Sequence, residues 1–129
     1  MSGAAQRFRA ELETIESAYE FMLAYAAQGR DTDEGAKMSP SIRETLEALL
    51  AALPAVGPAL AAARPHEAAK DLAEIVAEDA ARAATSVRAA LACARISSQL
   101  VDNLNASIHL RAVLTGLFLA DEIVQIGRG

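Results

Sequence analysis

The apolar residues in the first part of the chain recur at alternating steps of four and three positions, which is the spacing of an amphipathic helix. They are Phe8, Leu12, Ile15, Tyr19, Met22 and Ala26. Gly29 follows the last of them and is predicted to end the helix, because glycine readily adopts the left-handed conformation common after a helix. Residues 30–37 are charged and show no periodicity, which predicts a surface loop.

Two overlapping signals predict the start of a second helix. Ser39 and Pro40 can serve as N-cap and first helical residue, and Ser41 and Glu44 have the three-residue separation of a capping box. Its apolar stripe consists of Ile42, Leu46, Leu49, Leu53, Val56 and Leu60. The stripe keeps its phase past Pro54 and Pro58, although proline removes a helical hydrogen bond and normally breaks or bends a helix. We therefore predict two helical pieces on one axis, joined by a tight bend at the prolines.

Residues 66–115 contain no glycine or proline. As a single helix they would be roughly 75 Å long, whereas a compact chain of this size has a radius of gyration of about 14 Å. The stretch must therefore break, and the polar residues between Asp102 and Asn105 favour a break there, because Asp and Asn side chains stabilise turns. This predicts a long helix over residues 66–103 and a final helix over residues 106–126. Residues 1–129 are thus predicted to form one all-α domain, an antiparallel four-helix bundle with a proline-kinked second helix.

The composition of the chain indicates how these helices pack. Of its 129 residues, 53% are apolar and only 4% are aromatic. Alanine supplies much of the apolar share, and it favours helices while burying little surface, so we expect closely spaced helices around a thin core. The net charge of −5 and the pI near 5.0 argue against a nucleic-acid partner, which requires clustered Lys and Arg side chains.

The cysteine content and the N-terminal sequence both bear on location. Cys93 is the only cysteine, so no intramolecular disulfide can form, which is compatible with the reducing cytoplasm. We expect its thiol to be an inert part of the core. The N-terminal residues begin an amphipathic pattern and lack the apolar segment of a signal peptide. The apolar run over residues 110–120 contains Arg111 and is too short to cross a bilayer. We therefore expect a cytoplasmic protein without a transmembrane segment.

The final predicted helix has the most continuous apolar surface of the chain. A helix that is apolar nearly all round is normally buried. Ala112, Gly116 and Ala120 form a row of small residues along it, and such a row allows close packing of two helices. In a bundle of four helices each helix would expose one side, and this helix has no obvious side to expose. The pattern therefore predicts a homodimer, with Ala112, Gly116 and Ala120 at its interface.

A polar cluster is predicted around the break between the last two helices. Arg88, Arg95, Asp102 and His109 are spaced by seven residues. On an unbroken helix all four would share one face, whereas with the predicted break only Arg88, Arg95 and Asp102 do. An Arg and an Asp so placed can hold a carboxylate or a phosphate, with His109 as a titratable neighbour. The alternative is a capping or interface network that satisfies buried polar groups. The candidates for ligand or partner binding are Arg95, Gln99, Asp102, Asn105 and His109.

Metal and cofactor chemistry find little support in the sequence. Di-iron four-helix proteins use Glu-x-x-His pairs on two helices, and this chain has none. His66 opens a helix without a second histidine at metal-binding spacing, so we interpret it as a solvated residue. No glycine-rich phosphate loop and no nucleophile triad is found. We expect no metal, no cofactor and no catalytic residue.

These patterns favour a non-catalytic helical protein that acts in interaction or assembly as a homodimer, because every strong signal concerns helix packing. A further protein partner is compatible with this interpretation. The alternative is a small-molecule-binding bundle or an enzyme, with a pocket between helices near the turn that joins the third and fourth helices. A third possibility is an amphipathic coat protein on a lipid or polymer surface, which would need exposed apolar faces.

Overall fold

A computed structural model describes residues 3–128. Within that range the chain forms five helices and no strand: α1 Gly3–Ala26, α2 Ile42–Ala63, α3 Ala68–Leu91, α4 Ser98–Ala106 and α5 Ile108–Arg128. The prediction of an all-α fold is confirmed. The count of four helices is not confirmed, because the long stretch without glycine or proline divides into three helices where we predicted two.

The start of α2 matches its predicted capping chemistry. The Ser41 side chain accepts a hydrogen bond from the backbone N–H of Glu44, and the Glu44 carboxylate accepts one from the backbone N–H of Ser41. All six residues of the predicted stripe are buried. The prolines differ from expectation, because one helix runs through Pro54 and Pro58, and two separate pieces are not observed. Both prolines have exposed rings, while the stripe faces the core throughout.

Gly57, between these prolines, lies at a close approach of α2 and α3. A Cβ atom built on Gly57 would be 2.7 Å from the Cβ and 3.0 Å from the Cα of Ala77. Cβ atoms essentially never lie within 3.0 Å of another atom in this way, so any residue other than glycine would force α2 or α3 to shift. The expectation of closely spaced helices is met at this pair.

The long stretch breaks at two places. Helix α3 ends at Leu91, residues 92–97 form a linker, and Ser97 caps α4 by accepting a hydrogen bond from the Leu100 N–H. The second break is at Ser107, whose hydroxyl accepts a hydrogen bond from the Leu110 N–H at 3.4 Å. The predicted helix over residues 66–103 was therefore wrong, because residues 92–97 leave the helical conformation although no glycine or proline marks the break. The predicted break near Asn105 lies close to the second site.

The helices pack in the order α1, α2, α3 and α5, while α4 lies against α1. Helices α3 and α5 run antiparallel, since Val76 lies against Gly116 and Pro65 lies against Gly127. An ion pair of 2.9 Å between Arg9 and Asp121 joins α1 to α5. The core between them is built from leucine, valine and alanine, with Phe8 and Tyr25 among its larger side chains.

The predicted position of Cys93 requires a correction, and the apolar length of α2 bears on the expected absence of a transmembrane segment. The Cys93 side chain is exposed in the linker, so the predicted core position was wrong. Helix α2 is long and apolar enough to cross a membrane by length and composition, because residues 48–63 carry no charge and form a longer apolar run than residues 110–120. That criterion is also met by core helices of soluble proteins, and α2 contributes nine buried residues between α1 and α3.

Candidate functional site

A polar cleft of about 630 Å³ opens where the end of α1 meets the start of α4. Three of the five predicted binding residues, Arg95, Gln99 and Asp102, line it. Its remaining lining residues are Ala26, Gly29, Arg30, Asp31, Ser97 and Ser98. The cleft therefore carries two guanidinium groups and two carboxylates beside the N-terminus of α4, where unpaired N–H groups favour anions.

The floor of the cleft is held by hydrogen bonds between distant parts of the chain. The Ser98 hydroxyl donates to the Tyr25 carbonyl at 2.7 Å and accepts from the Arg30 N–H at 2.8 Å. The Ser98 N–H donates to the Arg30 carbonyl at 2.8 Å. The buried Tyr25 hydroxyl donates to the Ile96 carbonyl at 2.6 Å. Together these bonds attach the end of α1 to the α3–α4 linker.

A second set of bonds ties the α1–α2 loop to the same linker through Asp33 and Arg43. The Asp33 carboxylate accepts from the Ile96 N–H at 2.8 Å and from the Arg43 Nε at 2.7 Å. Arg43 also donates to the carbonyls of Leu91, Cys93 and Ala94. These carbonyls lie at and after the end of α3, where a cation is favoured by the helix dipole. We call Tyr25, Arg30, Asp33, Arg43 and Ser98 the polar junction.

The polar junction shifts the pKa values of two of its members. The hydrogen bond from Arg43 lowers the pKa of the Asp33 carboxyl below its ordinary value, against the opposing effect of burial, and the Ile96 N–H adds to the lowering. Burial raises the pKa of the Tyr25 phenol, and the Asp33 charge raises it further. Asp33 is therefore an anion and Tyr25 a neutral phenol at pH 7, and both are engaged in holding the fold.

Asn105 is buried, but it is not among the residues that line the cleft. It is 6% exposed, and neither its side-chain nitrogen nor its oxygen has a hydrogen-bond partner within the described residues. Burying unpaired polar atoms is costly, at about 1–3 kcal/mol for each group. Asn105 therefore stands apart from Arg95, Gln99 and Asp102, with which it was predicted to act.

The seven-residue series does not form one face, because its members lie on four different segments. Arg88 is on α3, where it donates to Thr85, and Arg95 is in the linker. Asp102 is on α4, and His109 is exposed in the first turn of α5 and does not line the cleft. The prediction that Arg88, Arg95 and Asp102 share one face was wrong, because it depended on one helix over residues 66–103.

The predicted interface row on α5 lies mostly inside the chain. Ala120 is fully buried, and a Cβ on Gly116 would be 3.3 Å from a methyl group of Val76 on α3. Ala112 is half-buried. The row thus packs α5 against its own neighbours. The apolar side chains that α5 exposes are different ones: Ile108, Phe118, Leu119 and Ile126, with exposed fractions of 76%, 54%, 54% and 71%.

Sequence reasoning did not identify the polar junction. Its hydrogen bonds join residues that are far apart in the chain, such as Tyr25 and Ile96, so no local spacing indicated them. The one available signal was the Ser97-Ser98 pair, which is typical of a helix start. Across residues 3–128, no group of three His, Cys, Asp or Glu side chains is arranged to hold a metal ion.

The chain is thus an all-helical protein with a polar cleft at one end and an apolar face on its last helix. No protein-family model matches it. Comparison with curated proteins found no match, and comparison with solved structures found none either.

Proposed function

We propose that this chain is a non-catalytic interaction or assembly protein that acts as a cytoplasmic homodimer. The observation that carries the proposal is the set of large apolar side chains that α5 exposes, above all Leu119 and Ile126. Single exposed apolar residues are common on protein surfaces, but a helix with several of them is typical of an interaction site. The four long helices would serve as an antiparallel four-helix bundle, with α4 as a short helix in the connection between α3 and α5 that packs against α1.

The titratable groups support a structural role over catalysis. The surroundings of Asp33 and Tyr25 shift the pKa values of both groups. Each side chain is nevertheless engaged in hydrogen bonds that hold the fold together. His109 and Cys93 are exposed, and neither forms a hydrogen bond or an ion pair with an acidic or basic side chain within residues 3–128. A catalytic base needs hydrogen-bond reach to a reacting group and an oriented environment. The exposed α5 surface is the better-supported functional feature.

A matched pair of substitutions tests the homodimer. Leu119→Glu places a charge on α5, whereas Leu23→Glu does the same on α1, where the leucine is exposed to a similar extent, 48% against 54%. Loss of a buried leucine at two symmetric positions is expected to raise the dissociation constant roughly 100-fold. Sedimentation equilibrium should therefore show a dimer for the parent protein and for Leu23→Glu, and a monomer for Leu119→Glu. The proposal would be refuted if the parent protein were a monomer at a concentration on the order of 100 µM. It would also be refuted if the Leu119→Glu protein were a dimer.

The second candidate function is binding of a small anion in the polar cleft. The specific observation is that Arg95 lines the cleft and makes no hydrogen bond or ion pair with any residue between 3 and 128, so its guanidinium is free to bind a carboxylate or phosphate. Thermal-shift measurements with inorganic phosphate and with succinate test this candidate. Stabilisation that is lost in Arg95→Ala and kept in Arg88→Ala, on α3, would support it. No shift with either anion would contradict it.

A further inference from the structure

The exposed surface of α5 is self-complementary along its length. We call Ile108, Arg111, Thr115, Leu119, Glu122 and Ile126 the α5 face, since all six are exposed and recur at helical spacing. An isoleucine lies at each end of the face. Arg111 is next to the isoleucine at one end, and Glu122 is next to the isoleucine at the other. Three pairs of these residues have nearly the same midpoint along the helix, close to Leu117. The pairs are Ile108 with Ile126, Arg111 with Glu122, and Thr115 with Leu119. Two copies of this face laid antiparallel would therefore match apolar with apolar and positive with negative.

The neighbouring side of α3 repeats this arrangement. Helical rotation of 100° per residue, with Val76 of α3 against Gly116 of α5, places Ile75 on the same side of the helix pair as Leu119. Ile75 is exposed at 54%. Asp71 and Arg82 are also exposed on this side, and their midpoint is level with Gly116. An acidic end and a basic end thus occur on both helices at matching heights.

We propose that a second copy of this chain covers the surface, with a two-fold axis that crosses both helices near the contact of Val76 with Gly116. Each α5 then lies antiparallel to the partner's α5, so that Arg111 meets the partner's Glu122 and Ile108 meets the partner's Ile126. Each α3 lies antiparallel to the partner's α3 in the same way. This arrangement rests on the homodimer proposed above and specifies its interface and register.

Charge selects this axis over the other two-fold arrangement of the same surfaces. An axis parallel to the helices would lay α3 of one copy over α5 of the other at the same height. Asp71 would then face Glu122, and Arg82 would face Arg111, which places like charges together at both ends. Like charges facing each other suppress a wrong register. Glu78, a further carboxylate on this side of α3, lies one turn from Arg82 of its own chain, where opposite charges attract. Arg82 also has Asp79 at 3.5 Å.

The dimensions of the surface fit a dimer of modest affinity. Two adjacent helices of this length present an area of about 30 Å by 20 Å, which is on the order of 600 Å² per copy. Stable complexes bury about 800 Å² per partner. The dimer is therefore expected to dissociate in the micromolar range and to respond measurably to single charges at its edge.

Charge reversal tests the antiparallel register. Arg111→Glu and Glu122→Arg should each weaken the homodimer roughly tenfold, because each creates two like-charge contacts. An equimolar mixture of the two variants should restore dimerisation, since in the mixed dimer both contacts are again between opposite charges. Native mass spectrometry identifies that mixed dimer by its mass, and sedimentation equilibrium measures its affinity. Glu20→Arg, at an exposed position on α1, is the matched control and should dimerise as the parent does.

The outcomes separate this proposal from the homodimer itself. If the parent and the single variants dimerise equally well, or if the mixture fails to restore what the single variants lose, the register is refuted while the homodimer stands. If the parent is a monomer, both proposals fail. Circular dichroism of each variant establishes that a loss of dimer is not a loss of fold. Preferential formation of the mixed dimer is the result that supports the proposal.

Discussion

Gly57 allows a direct test of the packing that holds α2 against α3. Gly57→Ala adds one methyl group, whose carbon would be 2.7 Å from the Ala77 Cβ and 3.0 Å from the Ala77 Cα. The second of these atoms belongs to the backbone, so the contact cannot be relieved by rotation of a flexible side chain. The two helices must separate, and the contacts on both sides of Gly57 are weakened.

Two opposing effects determine the free energy of unfolding of this variant. Alanine in the middle of a helix is favoured over glycine by about 1 kcal/mol. Overpacking of a core typically costs about 1–3 kcal/mol, and the rigid backbone contact places this site at the upper end. We therefore expect Gly57→Ala to lower the free energy of unfolding by about 2 kcal/mol.

The matched control is Gly116→Ala on α5. There the added carbon meets a single methyl group of Val76 at 3.3 Å, which a small side-chain shift relieves. This variant should be neutral, or more stable by up to about 1 kcal/mol. Urea denaturation followed by circular dichroism measures both variants, and it must be done at equal protein concentration because dimerisation shifts apparent stability. If Gly57→Ala is as stable as Gly116→Ala, the close approach of α2 and α3 does not constrain the fold and the reasoning is refuted.

Three other substitutions give expected outcomes. Asn105→Leu should raise the melting temperature by roughly 2–6 °C, because it removes two unpaired buried polar atoms; a lower melting temperature would mean that Asn105 has a partner. Asp33→Asn should cost about 1–2 kcal/mol at pH 7. Since folding lowers the pKa of Asp33, the stability difference between the parent protein and Asp33→Asn is fully present above the ordinary pKa of 3.8 and should disappear as the pH falls further. A difference that grows in acid would contradict the role of the carboxylate. Asp102→Ala should change stability by less than about 0.5 kcal/mol, because the side chain is exposed, and a large loss in thermal denaturation would show that it is structural.

The sequence was sufficient to predict the all-α class, the start of α2 and most of the core. These properties depend on residues that are close together in the chain. The spacing of three and four residues determines which side of a helix is apolar, and the capping box of Ser41 and Glu44 needs only one turn. The residues Leu46, Leu49 and Leu53 were predicted on the buried side of α2 and are buried.

Only the tertiary structure determined where the first helix within residues 66–115 ends and which polar residues contact each other. The break at residues 92–97 is stabilised by Asp33 and Arg43, which bind the linker from a distant part of the chain, so the local pattern did not reveal it. The same break removes His109 and Arg88 from the predicted face. Periodicity also did not determine which part of the structure covers each side of α5. It shows that one side of a helix is apolar, but not whether α3, α4 or solvent covers that side. Gly116 therefore packs against Val76, while Leu119 on the same helix is left exposed.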